Sequence, residues 1–132
     1  MCYIRWDVHG IDHLPDYMKL CFLVLHNTMN QIAFDVFKVE RIHIIKFLKN
    51  MWADLCKAHL REAKWYYSGY KVSLEEYVEN ACISIAAPVA LAHVHVPATN
   101  PIREAAMKSM DKYPEVVQLS AILFRLADGL GI

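Results

Sequence analysis

Four segments of this chain open with the residue types that start helices, and they limit what it can fold into. Pro15 with Asp16, Ser73 with Glu76, Asn100 with Pro101 and Pro114 with Glu115 are spread along 132 residues. Proline in a first helical turn lacks only an N–H that no carbonyl would have bonded, and a carboxylate there suits the positive end of the helix dipole. Ser73-Leu74-Glu75-Glu76 has the Ser-x-x-Glu form of a capping box. Between these starts, Ile44, Leu48, Met51 and Leu55 recur at helical spacing with Ile45, Trp52 and Cys56 beside them. That is the wide apolar stripe of a core-facing helix. The one alternating run, Ala92 to Val96, reads as the continuation of a helix, so the expected fold is all-α.

The spacing predicts a first helix from Pro15 to about Lys38, a second ending near the Ser68-Gly69 breaker, and a third beginning at Ser73. A short fourth helix starts at Asn100-Pro101 and a last one at Pro114. Pro88 falls well inside the third helix. An interior proline removes one backbone bond and clashes with the carbonyl four residues back, so the helix should break between Ser84 and Ala87. The freed carbonyls and the Ser84 hydroxyl would then face something.

No shift in composition divides residues 1–132, which read as one unit. Its apolar fraction of 56% exceeds the usual level of about 45–50%. His26, Lys38, Lys46, Lys49 and Asp54 interrupt the apolar runs, and none reaches the roughly 18 uninterrupted residues of a membrane span. The excess is therefore core, more than so short a chain buries alone, which points to part of something larger or to self-association through exposed apolar faces. Fourteen basic and fourteen acidic residues cancel without a Lys/Arg cluster, so nucleic acid is not an expected partner. Cys2, Cys21, Cys56 and Cys82 lie far apart, with no secretory signal ahead of them. A reducing compartment and buried packing roles are expected.

Few residues offer chemistry by local pattern. His93 and His95 resemble a metal pair, but i and i+2 do not share a helix face and no third ligand is evident, so neither a metal nor haem is expected there. Trp65, Tyr66, Tyr67 and Tyr70 could stack on a ligand, and packing is the expected role. Glu75, Glu76 and Glu79 sit where a helix entrance calls for carboxylates. The closing residues are different: Arg125 and Asp128 are three apart and point together beyond the packed face Ile122-Leu123-Leu126. Such a pair can meet a phosphate and a metal, although Asp-Gly after an apolar run is also an ordinary helix end, with glycine supplying the left-handed residue.

Seven motifs occur in order: Arg5-Trp6-Asp7, Leu14-Pro15-Asp16-Tyr17-Met18-Lys19, Trp52-Ala53-Asp54-Leu55-Cys56-Lys57-Ala58, Glu62 to Tyr70, Leu74-Glu75-Glu76-Tyr77, Thr99-Asn100-Pro101-Ile102 and Arg125-Leu126-Ala127-Asp128. Together they resemble the C-terminal catalytic domain of plant class I terpene synthases, in the branch rich in monoterpene synthases, from about Arg5 to Gly131. The resemblance implies an all-α isoprenoid synthase bundle around a cavity. It also implies a Mg2+-dependent enzyme, with Mn2+ as an alternative, that ionises a prenyl diphosphate such as geranyl diphosphate and converts the carbocation to a terpene. Asp128 then matches the first ligand of the family's second metal motif and Arg125 an arginine that contacts diphosphate. Ser84, Ile85, Ala86 and Ala87 match a kinked helix that lines the cavity.

The departures from the family pattern are as specific. Gly129 stands for the motif's second Asp, Ile132 for its Ser/Thr ligand, and the first acidic motif has no counterpart in the sequence. Mg2+ takes oxygen ligands in near-octahedral geometry, which an isoleucine cannot supply. The expectation is therefore a portion of a terpene synthase from a truncated gene or gene model, whose intact parent would reside in the plastid and whose isolated chain gives no useful turnover. The competing expectation is a non-catalytic helical module that binds a partner or dimerises.

Overall fold

The structure, a computed structural model, describes residues 6–98 and 113–131. Those residues are helical throughout, joined by short turns. A 3₁₀ turn at Val8–Ile11 precedes α1 (Asp16–Glu40), α2 (Ile45–Ser68), α3 (Leu74–Ser84), α4 (Ala87–Ala98) and α5 (Glu115–Leu130). The helix expected at Asn100-Pro101 and the residues Arg5, Thr99 and Ile132 lie outside the described part. The chain divides into two compact units, Met1–Ala53 and Asp54–Ile132.

In the first unit, α1 opens as its sequence requires, with Asp16 in the first turn and Lys19 Nζ 3.3 Å from its carboxylate. It closes at Arg41, which takes a left-handed φ of 60° and donates its N–H to the Phe37 carbonyl. A non-glycine residue there costs about 1–2 kcal/mol. The Phe37 ring stacks on His43 at 4.3 Å and has the Arg41 guanidinium 5.8 Å from its centroid. Ile11, Phe22, Met29, Ile44, Phe47, Leu48 and Met51 form the buried core, and Trp6 meets Phe22 edge-on at 6.1 Å. The spacing of Ile44, Leu48 and Met51 had marked this stripe.

In the second unit α5 packs on both α3 and α4, which also pack on each other. Ala58, Ala81, Ala92 and Ala121 are all buried there, and side chains this small let helix backbones approach closely. Ser73 caps α3 as the sequence predicted: its hydroxyl accepts from the Glu76 N–H at 3.2 Å, and the Glu76 carboxylate accepts from the Ser73 N–H at 3.0 Å. These hydrogen bonds from Ser73 hold the Glu76 carboxyl below its ordinary pKa.

The break at Pro88 is also where it was expected. α3 ends at Ser84, Ala86 takes a left-handed φ of 63°, and α4 begins at Ala87 with Pro88 buried in its first turn. Leu74–Val94 is long and apolar enough by composition to cross a membrane. The break splits that stretch, leaving helices of 11 and 12 residues, each short of the roughly 20 a span needs.

Several expectations need correction. Cys21 is exposed and Cys56 and Cys82 half-buried, so fully buried packing describes none of the three; burial raises the pKa of the Cys56 thiol. Tyr66 and Tyr67 are 81% and 86% exposed, touch edge to face at 5.2 Å and do not pack inside. On α5 the buried residues are Val117 and Ala121, while Leu123 and Leu126 are exposed. The apolar stripe of α5, through Val116, Leu119, Leu123 and Leu126, is the exposed one, so the sequence pattern marks the wrong face as buried. Finally, α5 runs on through Gly129, and Gly131 supplies the left-handed residue at φ 72°.

Candidate functional site

Three polar side chains of α3 reach neighbouring helices of the second unit, α2 and α5. On α3, Tyr77, Asn80 and Ser84 follow at i, i+3 and i+7 and so share one face. Asn80 is 1% exposed and donates its Nδ2 to two acceptors on α2, the Ala58 carbonyl at 3.1 Å and Glu62 Oε1 at 3.2 Å. Ser84, 5% exposed, donates its hydroxyl to the same Glu62 Oε1. Glu62 Oε2 lies 3.7 Å from His59 Nδ1, one turn back on α2. One carboxylate therefore fastens the last two turns of α3 to α2. Buried polar groups are costly unless paired, so this bracing fixes the place where α3 stops.

Beyond Ser84 the backbone turns sharply. Ile85 N–H reaches Ala81 at 3.1 Å, Ala86 N–H reaches Ile83 at 3.0 Å, and Ala90 N–H returns to the Ala86 carbonyl at 3.0 Å. Pro88 has no N–H, so the Ser84 carbonyl has no donor four residues on. Ile85, Ala86 and Ala87 are half-buried. The Ser84 hydroxyl does face something, but that is the Glu62 carboxylate. What Ser84 can offer beyond this is its backbone oxygen.

On α5, Arg125 donates Nε to the Tyr77 hydroxyl at 2.9 Å, and its guanidinium carbon lies 5.6 Å from that ring. Its Nη1 stands 3.8 Å from Asp128 Oδ2, close enough for an ion pair and too far for a hydrogen bond. The Tyr77 hydrogen bond, with smaller contributions from Glu62 and Asp128, raises the Arg125 pKa, so the side chain carries its charge at any working pH. Its side chain is 28% exposed and that of Asp128 61%. The pair presents a fixed cation and a more open carboxylate side by side. Among the described residues no three His, Cys, Asp or Glu side chains converge as a metal site. His93 donates Nδ1–H to the Val89 carbonyl one turn back, at 2.7 Å, and the His95 side chain lies outside the described part.

The site residues read from the sequence thus fall in one unit: Ser84 to Ala87 at the break, and Arg125 with Asp128 on the helix packed against it. Sequence reasoning missed Glu62, Asn80 and Tyr77, the residues that hold the others. A faint signal existed, since Tyr77, Asn80 and Ser84 make a polar stripe in an otherwise apolar helix.

Comparison with known proteins gives these positions a context. Residues 2–131 match the model of the terpene synthase family, metal binding domain, a match that starts ahead of the Arg5 at which the ordered motifs begin. Terpene synthase 10 of Ricinus communis is 53% identical over 127 residues, 96% of this chain and 23% of the relative. A chloroplastic myrcene synthase of Quercus ilex is also 53% identical over 127 residues, which make up 21% of its length. Among solved structures, isoprene synthase from grey poplar in complex with three Mg2+ ions and dimethylallyl-S-thiolodiphosphate superposes with a TM-score of 0.93 at 39% identity, over 98% of this chain and 25% of that one. Limonene synthase with 2-fluorolinalyl diphosphate gives 0.92 at 42%, over 98% and 24%. The chain spans about a fifth to a quarter of the relatives it matches.

Proposed function

Because this chain belongs to the terpene synthase family, metal binding domain, we propose that it forms one wall of a terpene synthase active site, with Arg125 gripping a prenyl diphosphate at the mouth. The whole protein would take geranyl diphosphate, expel diphosphate and convert the resulting carbocation to a monoterpene. The observation that carries this reading is the pairing of a charged, half-buried Arg125 with the more open carboxylate of Asp128, one helix away from the backbone break. Arginine's planar fork suits phosphate oxygens, and a fixed cation favours the charge that gathers on the leaving diphosphate.

In this reading each residue of the chain has a task. Arg125 binds and orients the diphosphate. The break at Ile85, Ala86 and Ala87 lines the cavity and leaves the Ser84 carbonyl without an intrahelical partner, a dipole suited to a passing cation. Glu62 and Asn80 hold that break in place. Asp128 would supply one oxygen ligand to Mg2+, or to Mn2+ in its stead. A hard cation of this kind needs about six oxygens, so the described residues do not make a metal site by themselves and no step is derived through one. When bound in the whole protein, the ions would neutralise diphosphate charge. Several relatives carry chloroplastic names, which supports a plastid location for the whole protein.

The test compares two proteins. Purified 132-residue chain incubated with geranyl diphosphate and Mg2+ should release no diphosphate and no terpene. The same residues, with Gly129→Asp and Ile132→Ser to restore the departed motif positions, grafted in place of the matching fifth of the Quercus ilex relative should support turnover that falls at least tenfold on Arg125→Ala or Asp128→Ala. Diphosphate release by the isolated chain, lost on Asp128→Ala, would overturn the first expectation. A graft indifferent to both substitutions would overturn the site.

A second reading rests on a different observation. Val116, Leu119, Leu123, Phe124 and Leu126 on α5 are all more than half exposed. Contiguous apolar residues of this kind mark contact surfaces, so a non-catalytic module that self-associates would explain them. Sedimentation of the isolated chain distinguishes the cases, since a stable dimer without pyrophosphate affinity favours the module.

A further inference from the structure

We propose that Tyr77 is the positioning residue for Arg125, dictating that the guanidinium meets a diphosphate end-on through Nη1 and Nη2. The inference rests on the reading of Arg125 as a diphosphate-binding residue and adds what makes it selective in geometry. A guanidinium offers phosphate two forks, the side edge that includes Nε and the end formed by the two terminal nitrogens. Here the Tyr77 hydroxyl accepts from Nε at 2.9 Å, so the side edge is taken. Among the described residues neither terminal nitrogen has a hydrogen bond, since Asp128 Oδ2 stands 3.8 Å from Nη1.

The support is rigid. Tyr77 is half-buried in the second turn of α3, whose first turn is closed by the Ser73 and Glu76 capping box. Farther along the same face, Asn80 and Ser84 fasten α3 to Glu62. Glu62 also adds its field to the guanidinium. The phenol therefore links the position of the diphosphate grip to the helix that carries the cavity break. A long, flexible arginine without this anchor would lose rotamer freedom on binding, and the anchor removes that loss beforehand.

The test uses the 132-residue chain in two independent arms. In the first, the Nε–H resonance of Arg125, assigned with Arg125→Lys, is followed by NMR. Tyr77→Phe should shift it and speed its exchange with water at least several-fold, while Asp128→Asn leaves it in place. An unmoved resonance in Tyr77→Phe overturns the positioning whatever the ligand does. If that variant loses helicity, replacing the tyrosines by 3-fluorotyrosine alters phenol hydrogen bonding at nearly constant packing, and the same shift is expected. In the second arm, inorganic pyrophosphate with Mg2+ is titrated by 31P NMR. Tyr77→Phe should weaken it about tenfold, equivalent to about 1.4 kcal/mol, with unchanged thermal stability. A parent chain that binds no pyrophosphate, yet shows the Nε shift, would remove the reading of Arg125 and leave its anchoring by Tyr77 standing.

Discussion

Replacing Asn80 by aspartate tests the bracing that holds the helix break, and its magnitude follows from the geometry. Asn80 Nδ2 lies 3.1 Å from the Ala58 carbonyl and 3.2 Å from Glu62 Oε1, with only 1% of the residue exposed. Asn80→Asp puts an acceptor where a donor stood, facing an acidic side chain at hydrogen-bond distance. Two like charges about 3.2 Å apart repel by roughly 5 kcal/mol at an effective dielectric constant near 20. The new carboxyl avoids that repulsion by binding a proton, after which it can donate to Glu62 much as the amide did. Its folded pKa is then raised well above the unfolded value of about 3.9. Keeping one proton at pH 7 costs at most 1.36 kcal/mol for each of about three pH units, or roughly 4 kcal/mol. Below the unfolded pKa the folded and unfolded states both hold the proton and the penalty vanishes. It grows as pH rises above about 4 and levels off once the folded group ionises. Urea denaturation followed by circular dichroism should show the variant about 4 kcal/mol less stable than the parent at pH 7, a midpoint shift of about 1.3–4 M. The difference should shrink by roughly 1.4 kcal/mol per pH unit down to pH 5. A variant as stable as the parent at pH 7, or a difference that does not change with pH, would refute the shared-carboxylate geometry.

Other expectations follow from single positions. Ala86→Gly should stabilise the chain by about 0.5–1 kcal/mol, because the left-handed φ of 63° strains alanine more than the added backbone entropy costs glycine; Ala86→Val should lower the melting temperature instead. Ser73→Ala removes the α3 cap and should cost about 1 kcal/mol in urea unfolding. The same cap lowers the Glu76 pKa, so its contribution is complete above the ordinary glutamate range and is lost as pH falls through the depressed value; carboxyl 13C shifts against pH would show the depressed titration, and Ser73→Ala should raise it only part of the way, because the backbone N–H at position 73, the largest cause of the lowering, remains. A Cβ at Gly129 would meet nothing within 4 Å, so Gly129→Asp should change stability by less than about 1 kcal/mol. It sets a second carboxylate beside Asp128 and should strengthen Mn2+ binding, measured by electron paramagnetic resonance, several-fold.

What the sequence made legible depended on how local each signal was. Helix starts rest on one or two residues, so Pro15, Ser73, Pro88 and Pro114 could be read directly, and α1, α3, α4 and α5 begin at or within one or two residues of them. The stripe through Ile44, Leu48 and Met51 was legible because polar residues on the other face of α2 set off its period. α5 shows an equally clear stripe, through Val116, Leu119, Leu123 and Leu126, but that stripe is exposed and Val117 and Ala121 are buried instead, so its packing on α3 and α4 was not legible from the period. Arg125 and Asp128 were singled out as candidates through resemblance and spacing, and the break through Pro88. Their supports were not, because Glu62 meets Ser84 across 22 positions and Arg125 meets Tyr77 across 48. No local pattern encodes a partner at that separation.

This distance has a consequence for how a site of this kind can be changed. Arg125 and the break can each be altered by a nearby substitution, but Glu62 and Tyr77 act on both through α3. A change at Glu62 releases Asn80 and Ser84 together and also removes a negative field from Arg125. The two effects should be separable in a double-mutant cycle. Glu62→Gln with Ser84→Ala should show a coupling energy above about 0.5 kcal/mol, because both act through one oxygen. Glu62→Gln with Tyr77→Phe should be additive for stability, since no hydrogen bond joins those two side chains among the described residues. Coupling in the second pair equal to that in the first would mean that α3 shifts as a rigid body on losing either brace. The break and the arginine would then be one mechanical element.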